Sequence, residues 1–532
     1  MAKHWPIETQ FTVVEPKFDT DVCTECGSRL YFRVDRDRRL YTLARPLMVR
    51  RLRARCSNHN CSNSRKALIS QEERELALSN WKIGWDVFCW IGFRRFKRHW
   101  SVLQIREELH DSYDIQVSED AIESYIRQYQ TMVSARHQDL ERVADRYREV
   151  DKVILSIDGL QPEKGHETLY VIRELRLGRV WIAEPLISSS TPEMKRLVLE
   201  AERWCKSIGV KVTGWVSDKQ CSLVKAVKAI YPEVPHRYCH NHFLRDLAKQ
   251  ITEIDSNAKV KMRSKIRGLR GIEKEVLESL SKSSTKGTEH QSLPSRGAQI
   301  VLDYCSAVRG ILNNNSGGPL LSAGQKMYLA LEEMRDSLHK LLALQRGAVI
   351  DHWLKRLANY IELGTAHYDL HKNEIVEGTR LVRLTACLLK RGSKPSKRRL
   401  KEFRRIAKQL SNSTESIKMA MGRMMLRFCN GLFAGGDDFD IPVDNLDLER
   451  WFKNPKGHSR RITGNRHVGT KSVYEGPTLI PALDAHLEME KPLTYIDLTP
   501  YIDAEIPISE QKATERKRTM TRAASKKKEA AS

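Results

Sequence analysis

The chain has 532 residues, more than one ordinary domain holds. Its 91 Lys and Arg against 67 Asp and Glu leave a formal net charge of +24, the electrostatic footprint of a nucleic-acid partner. No apolar run reaches the roughly 18–20 residues of a membrane-spanning helix, and eleven cysteines are too sparse for a disulfide scaffold. The opening MAKHWPIETQ has no apolar signal core, so the expected location is the cytoplasm, on the nucleoid in a prokaryote, with no membrane partner.

Residues 1–72 read as a zinc-ribbon-like unit. Cys23 and Cys26 flank a tight knuckle closed by Gly27, and Cys56 and Cys61 form a second pair. Two short-spaced pairs separated by a hairpin-length segment can close a tetrahedral thiolate site around Zn²⁺. The strand-like stretches are Leu30–Val34 and Arg39–Tyr41, and His59 could replace one cysteine. Residues 29–66 hold twelve Lys and Arg against two Asp, so this unit is expected to lie against phosphate.

Residues 73–148 read as a helix-turn-helix-like DNA-binding unit with a connector. Trp81 to Trp100 is an aromatic-rich helix with a basic exit that includes Arg94 and Arg95. Val102, Ile105 and Leu109 mark a second helix, and Ser118 N-caps a third, with Glu119 and Asp120 in its first turn. That third helix would offer Ser124, Arg127 and Gln128 to a groove, with 129–148 as a polar helical connector.

At residue 150 the pattern changes to strands. Val153–Ile157 is a buried-strand run ending at Asp158, followed by strands at Thr168–Ile172 and Val180–Ala183. A helix over Thr191–Ile208 leads to a strand over Val210–Val216, which ends at Ser217 and Asp218. A helix with Leu223, Val227 and Ile230 and a short strand near His236–Cys239 complete the order of an RNase H-like α/β core. Both Asp158 and Asp218 stop a hydrophobic strand, the sheet end at which open α/β sheets bind ligands. An aspartate there also serves as a turn residue. As a pair these two could share Mg²⁺ or Mn²⁺, whereas Asp151 enters its strand seven residues too early.

Ser217-Asp218, Leu223, Ala226 and Tyr231-Pro232, followed by His236-Arg237-Tyr238-Cys239, His242-Phe243 and Asp246-Leu247, resemble the Mutator-like and related bacterial insertion-sequence transposases. The resemblance covers 150–250 and 440–470. It implies a third catalytic carboxylate on a helix beyond a long helical insertion, matched by Glu449 within Asn445–Lys453. The basic follow-on holds Arg460 and Arg461. Asp437, Asp438, Asp440, Asp444 and Asp447 crowd the approach to Glu449 and compete with it as third ligand. Cys239 and His242 would be a motif beside the active site, or with His236 and His240 a second zinc site.

The implied architecture is an RNase H-like core in two parts, 149–252 and 437–510, interrupted by a mainly helical insertion at 253–436. Within the insertion, helices are expected over Met327–Leu344 and His352–Leu363, with loops at Ser281–Gly297 and Asn313–Pro319. Trp353 is either a core residue or a platform for an extruded base. The stretch 391–409, with Arg398 and Arg399, carries nine Lys and Arg against one Glu and is a candidate for DNA-backbone contact. The tail, 511–532, is basic and expected to be disordered. The implied function is metal-dependent cleavage and strand transfer by a DNA transposase, on double-stranded element ends and target, as a homodimer or larger assembly. A transposase-derived regulator without catalysis and an RNase H-like structure-selective nuclease are the alternatives.

Overall fold

The computed structural model describes residues 10–161, 167–284, 293–314, 322–345, 347–392, 394–465 and 469–529. It is a mixed α/β protein whose chain forms two compact units, residues 1–234 with 445–532 and residues 235–444. Among the described residues no helix is long and apolar enough to cross a membrane.

The sheet of the first unit is built on Lys152–Leu160. Lys211–Ser217 runs parallel to it on one side, and Thr168–Glu174 runs antiparallel on the other, followed by antiparallel Arg179–Leu186. Alternation gives this sheet two apolar faces. Val153, Leu155 and Ile157 face the helices Thr191–Ile208 and Cys221–Ile230 through Leu197, Val198 and Ala226. On the opposite face, Leu160, Leu169 and Val171 pack against Leu448, Trp451 and Ile480. The order expected between 150 and 240 is thus observed, with boundaries shifted by a few residues.

Three helices, Trp85–Phe96, Val102–Tyr113 and Glu119–Gln138, follow the expected bundle pattern. Ser118 caps the third by accepting from Ala121 N–H. The expected polar connector is not one. Tyr129, Gln130, Thr131, Met132, Val133 and Ser134 are buried in that same 20-residue helix. They are buried because the helix Gly476–Ala485 packs there. Gln130 donates to Thr478 at 2.7 Å and Ser134 donates to the Pro477 carbonyl at 3.3 Å.

The tail also departs from expectation. A helix spans Ile508–Glu529, and its first turns are anchored rather than disordered. Glu510 is buried and bonded to the Thr478 hydroxyl at 2.7 Å, and Arg516 grips Glu167 at 2.7 and 3.1 Å. Charge counting overlooked Ala513, which is buried. Residues 530–532 lie outside the described residues.

Among the described residues the second unit is helical apart from the short strand His236–Tyr238. His240–Lys265 is one continuous helix, so no boundary falls at 252/253, and the compact unit ends at 444 rather than 436. The expected helix at His352–Leu363 is part of a 42-residue helix, Ala348–Leu389. Gly364 and Gly378 lie within it where the segment 240–266 approaches closely. A Cβ there would meet Ile266 at 2.9 Å and Ile251 at 2.5 Å. Asp255, also buried, accepts from the Gly324 and Gln325 N–H groups at 2.7 and 2.9 Å, stopping the orphan donors of the helix Ala323–Leu342. The expected loop at 281–297 is trimmed by the helices Leu269–Ser284 and Leu293–Asn313. Its middle, like 315–319 of the second expected loop, lies outside the described residues.

Asp484 is the buried polar centre of the first unit. It accepts from Arg173 at 3.1 Å, Trp451 Nε1 at 2.8 Å and the Val180 N–H at 2.9 Å. Asp484→Ala would leave the buried Trp451 and Val180 N–H groups without this acceptor and Arg173 with only the exposed Asp447, and urea unfolding should show a loss of about 3–5 kcal/mol. A change below about 1 kcal/mol would contradict that role.

Burial holds several imidazoles neutral, bringing His137 down to about 3 and His486 down to about 4. Unfolded histidine titrates near 6.5, so these groups contribute stability fully above that pH and lose it as pH falls through their folded values. Glu510, raised by burial to about 7, titrates with the opposite sign over the same range, so the histidine contribution is read as a difference. Between about pH 6.5 and 4 the urea midpoint of wild type should drop more, or rise less, than that of His486→Gln, and parallel profiles would contradict it.

Candidate functional site

Two sites emerge from these elements, one of sulfur and one of oxygen. In the N-terminal unit, Leu30–Val34 pairs antiparallel with Leu52–Cys56, which pairs in turn with Leu68–Ile69. The other strand-like stretch lies in a separate sheet, where Arg38–Leu40 pairs with Leu47–Val49. The pairing sets Cys56 opposite Leu30 and brings the second cysteine pair to the knuckle.

Gly27 adopts a positive φ of 69° and donates its N–H to the Cys23 carbonyl at 2.8 Å, folding the knuckle. The sulfurs of Cys23, Cys26, Cys56 and Cys61 all lie within 4.8 Å of one another. Cys26 and Cys56 are 3.3 Å apart, and Cys23 and Cys61 are 3.9 Å apart. Zn–S bonds of about 2.3 Å imply sulfur–sulfur edges of about 3.8 Å, so the quartet fits a metal such as zinc. Asn63 Nδ2 points at Cys23 Sγ at 3.5 Å and Asn58 N–H at Cys56 Sγ at 3.4 Å, donors suited to thiolates. Ser28, through its hydroxyl and backbone, brings the Cys26 thiol down to about 6. His59 is exposed and the quartet closes without it.

The oxygen site follows from strand register. Ser217 pairs with Ile157 across parallel strands, so Asp218 and Asp158 come next, side by side at the same end. Both line a cavity of about 370 Å³ with Tyr170, Ser189 and Gln220. Tyr170 donates to Gln220 at 3.2 Å, and Asp158 accepts from the Gly159 N–H at 2.8 Å.

Glu449 sits on the helix Leu446–Trp451. Asn445, just ahead of it, is hydrogen-bonded to Ser156, which shares the strand face of Asp158. Arg173 holds Asp447 of the same helix at 2.8 Å, which commits that rival carboxylate to an ion pair. The sequence brings Asp158 and Asp218 together but does not gather all three: among the described residues, no oxygens of Asp158, Asp218 and Glu449 all lie within 4.8 Å of one another. The two aspartates share a sheet end and one cavity, and the third carboxylate is outside that set.

Other sequence candidates are sorted by burial. His240 is bonded to the Leu432 carbonyl at 2.9 Å, and burial brings His236 down to about 4. Among the described residues the ligand atoms of His236, Cys239, His240 and His242 do not all lie within 4.8 Å of one another, so the four do not form a second zinc cluster. Cys239 is buried directly ahead of the helix on whose first turn His242 lies. Trp353 is buried in the apolar core of the second unit, as a packing residue.

Three arginines expected on DNA are structural. Arg94 lies between the Trp90 and Trp100 rings, at 4.9 and 4.8 Å. Arg95 donates to the Trp100 carbonyl at 3.0 Å, and burial brings it down to about 10. Arg399 is 4% exposed, pairs with Asp437 at 2.8 Å and donates to the Leu389 carbonyl at 3.1 Å. Ser124, Arg127, Arg398, Arg460 and Arg461 are exposed and Gln128 is half-buried. Arg127 also faces Glu475 at 3.5 Å and Glu510 at 3.8 Å.

Searches of protein-family models and of curated proteins find no match to this chain.

The sulfur site predicts about one zinc per chain by metal analysis. Cys56→Ser should lower bound zinc roughly tenfold, because three ligands leave the tetrahedron open. A purified chain without zinc, or a variant that keeps it, would contradict the assignment.

Proposed function

We propose that this chain is a DNA transposase that cleaves element ends and joins them to a target by metal-dependent phosphodiester chemistry. The observation that carries this reading is the register that sets Asp158 beside Asp218 at the carboxyl ends of adjacent parallel strands. In this reading the sheet is an RNase H-like core and the helical second unit is its insertion.

Ionised carboxylates are acceptor-only groups, and their oxygens suit hard cations such as Mg²⁺ or Mn²⁺. A cation held by Asp158 and Asp218 would supply Lewis-acid activation of a water or a 3′-hydroxyl for in-line attack. Glu449, on the helix that covers the face of Asp158, would have to turn its side chain toward the pair to complete the ligand set. Asp447 is the poorer candidate because Arg173 already neutralises it. Tyr170 fixes Gln220 at the cavity wall, where an amide can orient a phosphate oxygen. No covalent enzyme–DNA intermediate is needed, so no Ser or Tyr nucleophile is assigned.

The remaining parts supply binding. Arg460 and Arg461 project to solvent from the helix Lys453–Thr463, which follows the Glu449 helix directly. The three-helix bundle would read element ends through Ser124, Arg127 and Gln128, and the zinc-ribbon-like unit would add phosphate contacts. Cys239 and His242 would shape the DNA end. Pairing of two ends makes a dimer or larger assembly of chains the working form.

The test is strand cleavage of DNA bearing the flanking ends of the source locus, with Mg²⁺, Mn²⁺ or EDTA. Asp158→Ala, Asp218→Ala and Glu449→Ala should each lower cleavage on the order of 10³-fold while end binding persists. Metal-independent cleavage, or full activity in the Asp158 and Asp218 variants, would contradict the reading.

A further inference from the structure

A second cavity, of about 650 Å³, lies at the other end of the sheet from Asp158 and Asp218. Its position follows from register, because Arg179 pairs with Glu174, which pairs with Leu155. Four arginines line it: Arg136, Arg142, Arg146 and Arg179. The acids on its wall are Asp145 and Glu488.

Arg179 is aimed by a buried histidine. Its Nη2 lies 2.5 Å from His137 Nδ1, and His137 Nε2 lies 3.0 Å from the Val180 carbonyl. A neutral imidazole satisfies both contacts only by accepting from Arg179 at Nδ1 and donating to Val180 at Nε2. Arg179 Nη1 and Arg146 Nη1 then meet the same Glu488 oxygen, at 3.8 and 3.5 Å. Glu488 itself is 70% exposed, an acid reaching back from the surface. One carboxylate oxygen thus shows that an anionic oxygen fits between two guanidinium groups. Arg136 is already paired with Asp497 at 2.8 Å and Arg142 lies near Asp139, so the open positive charge of the cavity is that of Arg146 and Arg179, which share one exposed carboxylate.

We propose that this cavity is an anion site for phosphate groups, with the Glu488 carboxylate standing where a phosphate oxygen binds. Arginine suits it because its planar fork matches phosphate and stays charged when partly desolvated. Arg146 and Arg142 are the recruiting groups, on the exposed side of the helix Leu140–Arg146, and Arg179 is the pre-set one. The phosphate belongs either to a nucleic-acid backbone or to a free phosphate ester. The site does not depend on the metal chemistry proposed for the other end of the sheet.

The full chain is titrated with inorganic pyrophosphate by calorimetry and with a labelled 30-base-pair duplex by fluorescence polarisation. In Arg142→Glu/Arg146→Glu, binding of one or both probes should weaken at least tenfold, while Arg270→Glu, exposed on the helix Leu269–Ser284 of the second unit, stays within twofold. Loss on the duplex, with a salt slope shallower by roughly one to two, assigns the phosphate to a nucleic-acid backbone. Loss on pyrophosphate alone assigns it to a free ester. Glu488→Gln removes the competing oxygen and should tighten binding roughly threefold, a gain that misfolding cannot produce. Affinities for both probes within twofold of wild type in the double variant, or weaker binding in Glu488→Gln, would overturn the proposal.

Discussion

The first unit depends on one buried ion pair. Arg173 reaches from the sheet to Asp484 at 3.1 Å and to Asp447 at 2.8 Å, with its guanidinium 5.7 Å from the Trp451 ring. Asp484 in turn takes the Trp451 indole N–H and the Val180 N–H. Burial pushes this carboxyl up, opposed by the Val180 N–H and by Arg173. A buried charge is tolerated only when its lone pairs are filled this completely. The pair therefore fixes one arrangement of three distant segments: the sheet, the Glu449 helix and the helix Gly476–Ala485. Whatever Glu449 does, this contact decides where it does it.

Much of that arrangement was legible in the sequence. Strand runs ending in Asp158 and Asp218 have period and length that few other elements share, and the parallel register follows once a helix separates them. The cysteine quartet was legible because thiolate spacing is a local property. Arg173 and Asp484 were not legible, since a lone charge in an apolar segment looks the same whether its partner lies near or 311 residues away. One available signal was Asp484 itself, an acid inside the apolar stretch Leu479–Ala485. Burial of Tyr129–Ser134 was missed for a related reason, because the covering helix comes from the far end of the chain.

The positive charge also separates into two populations that composition cannot distinguish. Arg94, Arg95, Arg173 and Arg399 are spent on rings, carbonyls and buried acids. Arg398, Arg460 and Arg461 face solvent. A net charge of +24 is therefore a statement about the field of the molecule, while contact residues must be read from exposure. Reading runs of basic residues as contact surfaces fails where arginine's long stem lets it serve the core.

The central claim is that Asp158 and Asp218 hold a divalent cation on the face covered by the Glu449 helix. The most direct measurement is to load the protein with Fe²⁺, start hydroxyl-radical chemistry, and map the polypeptide cuts by mass spectrometry. The account predicts cuts beside Asp158, beside Asp218 and within 445–452, all suppressed by excess Mg²⁺ and absent in Asp158→Ala. Cuts confined to the cysteine quartet, or cuts at the carboxylates that Mg²⁺ does not suppress, would contradict it.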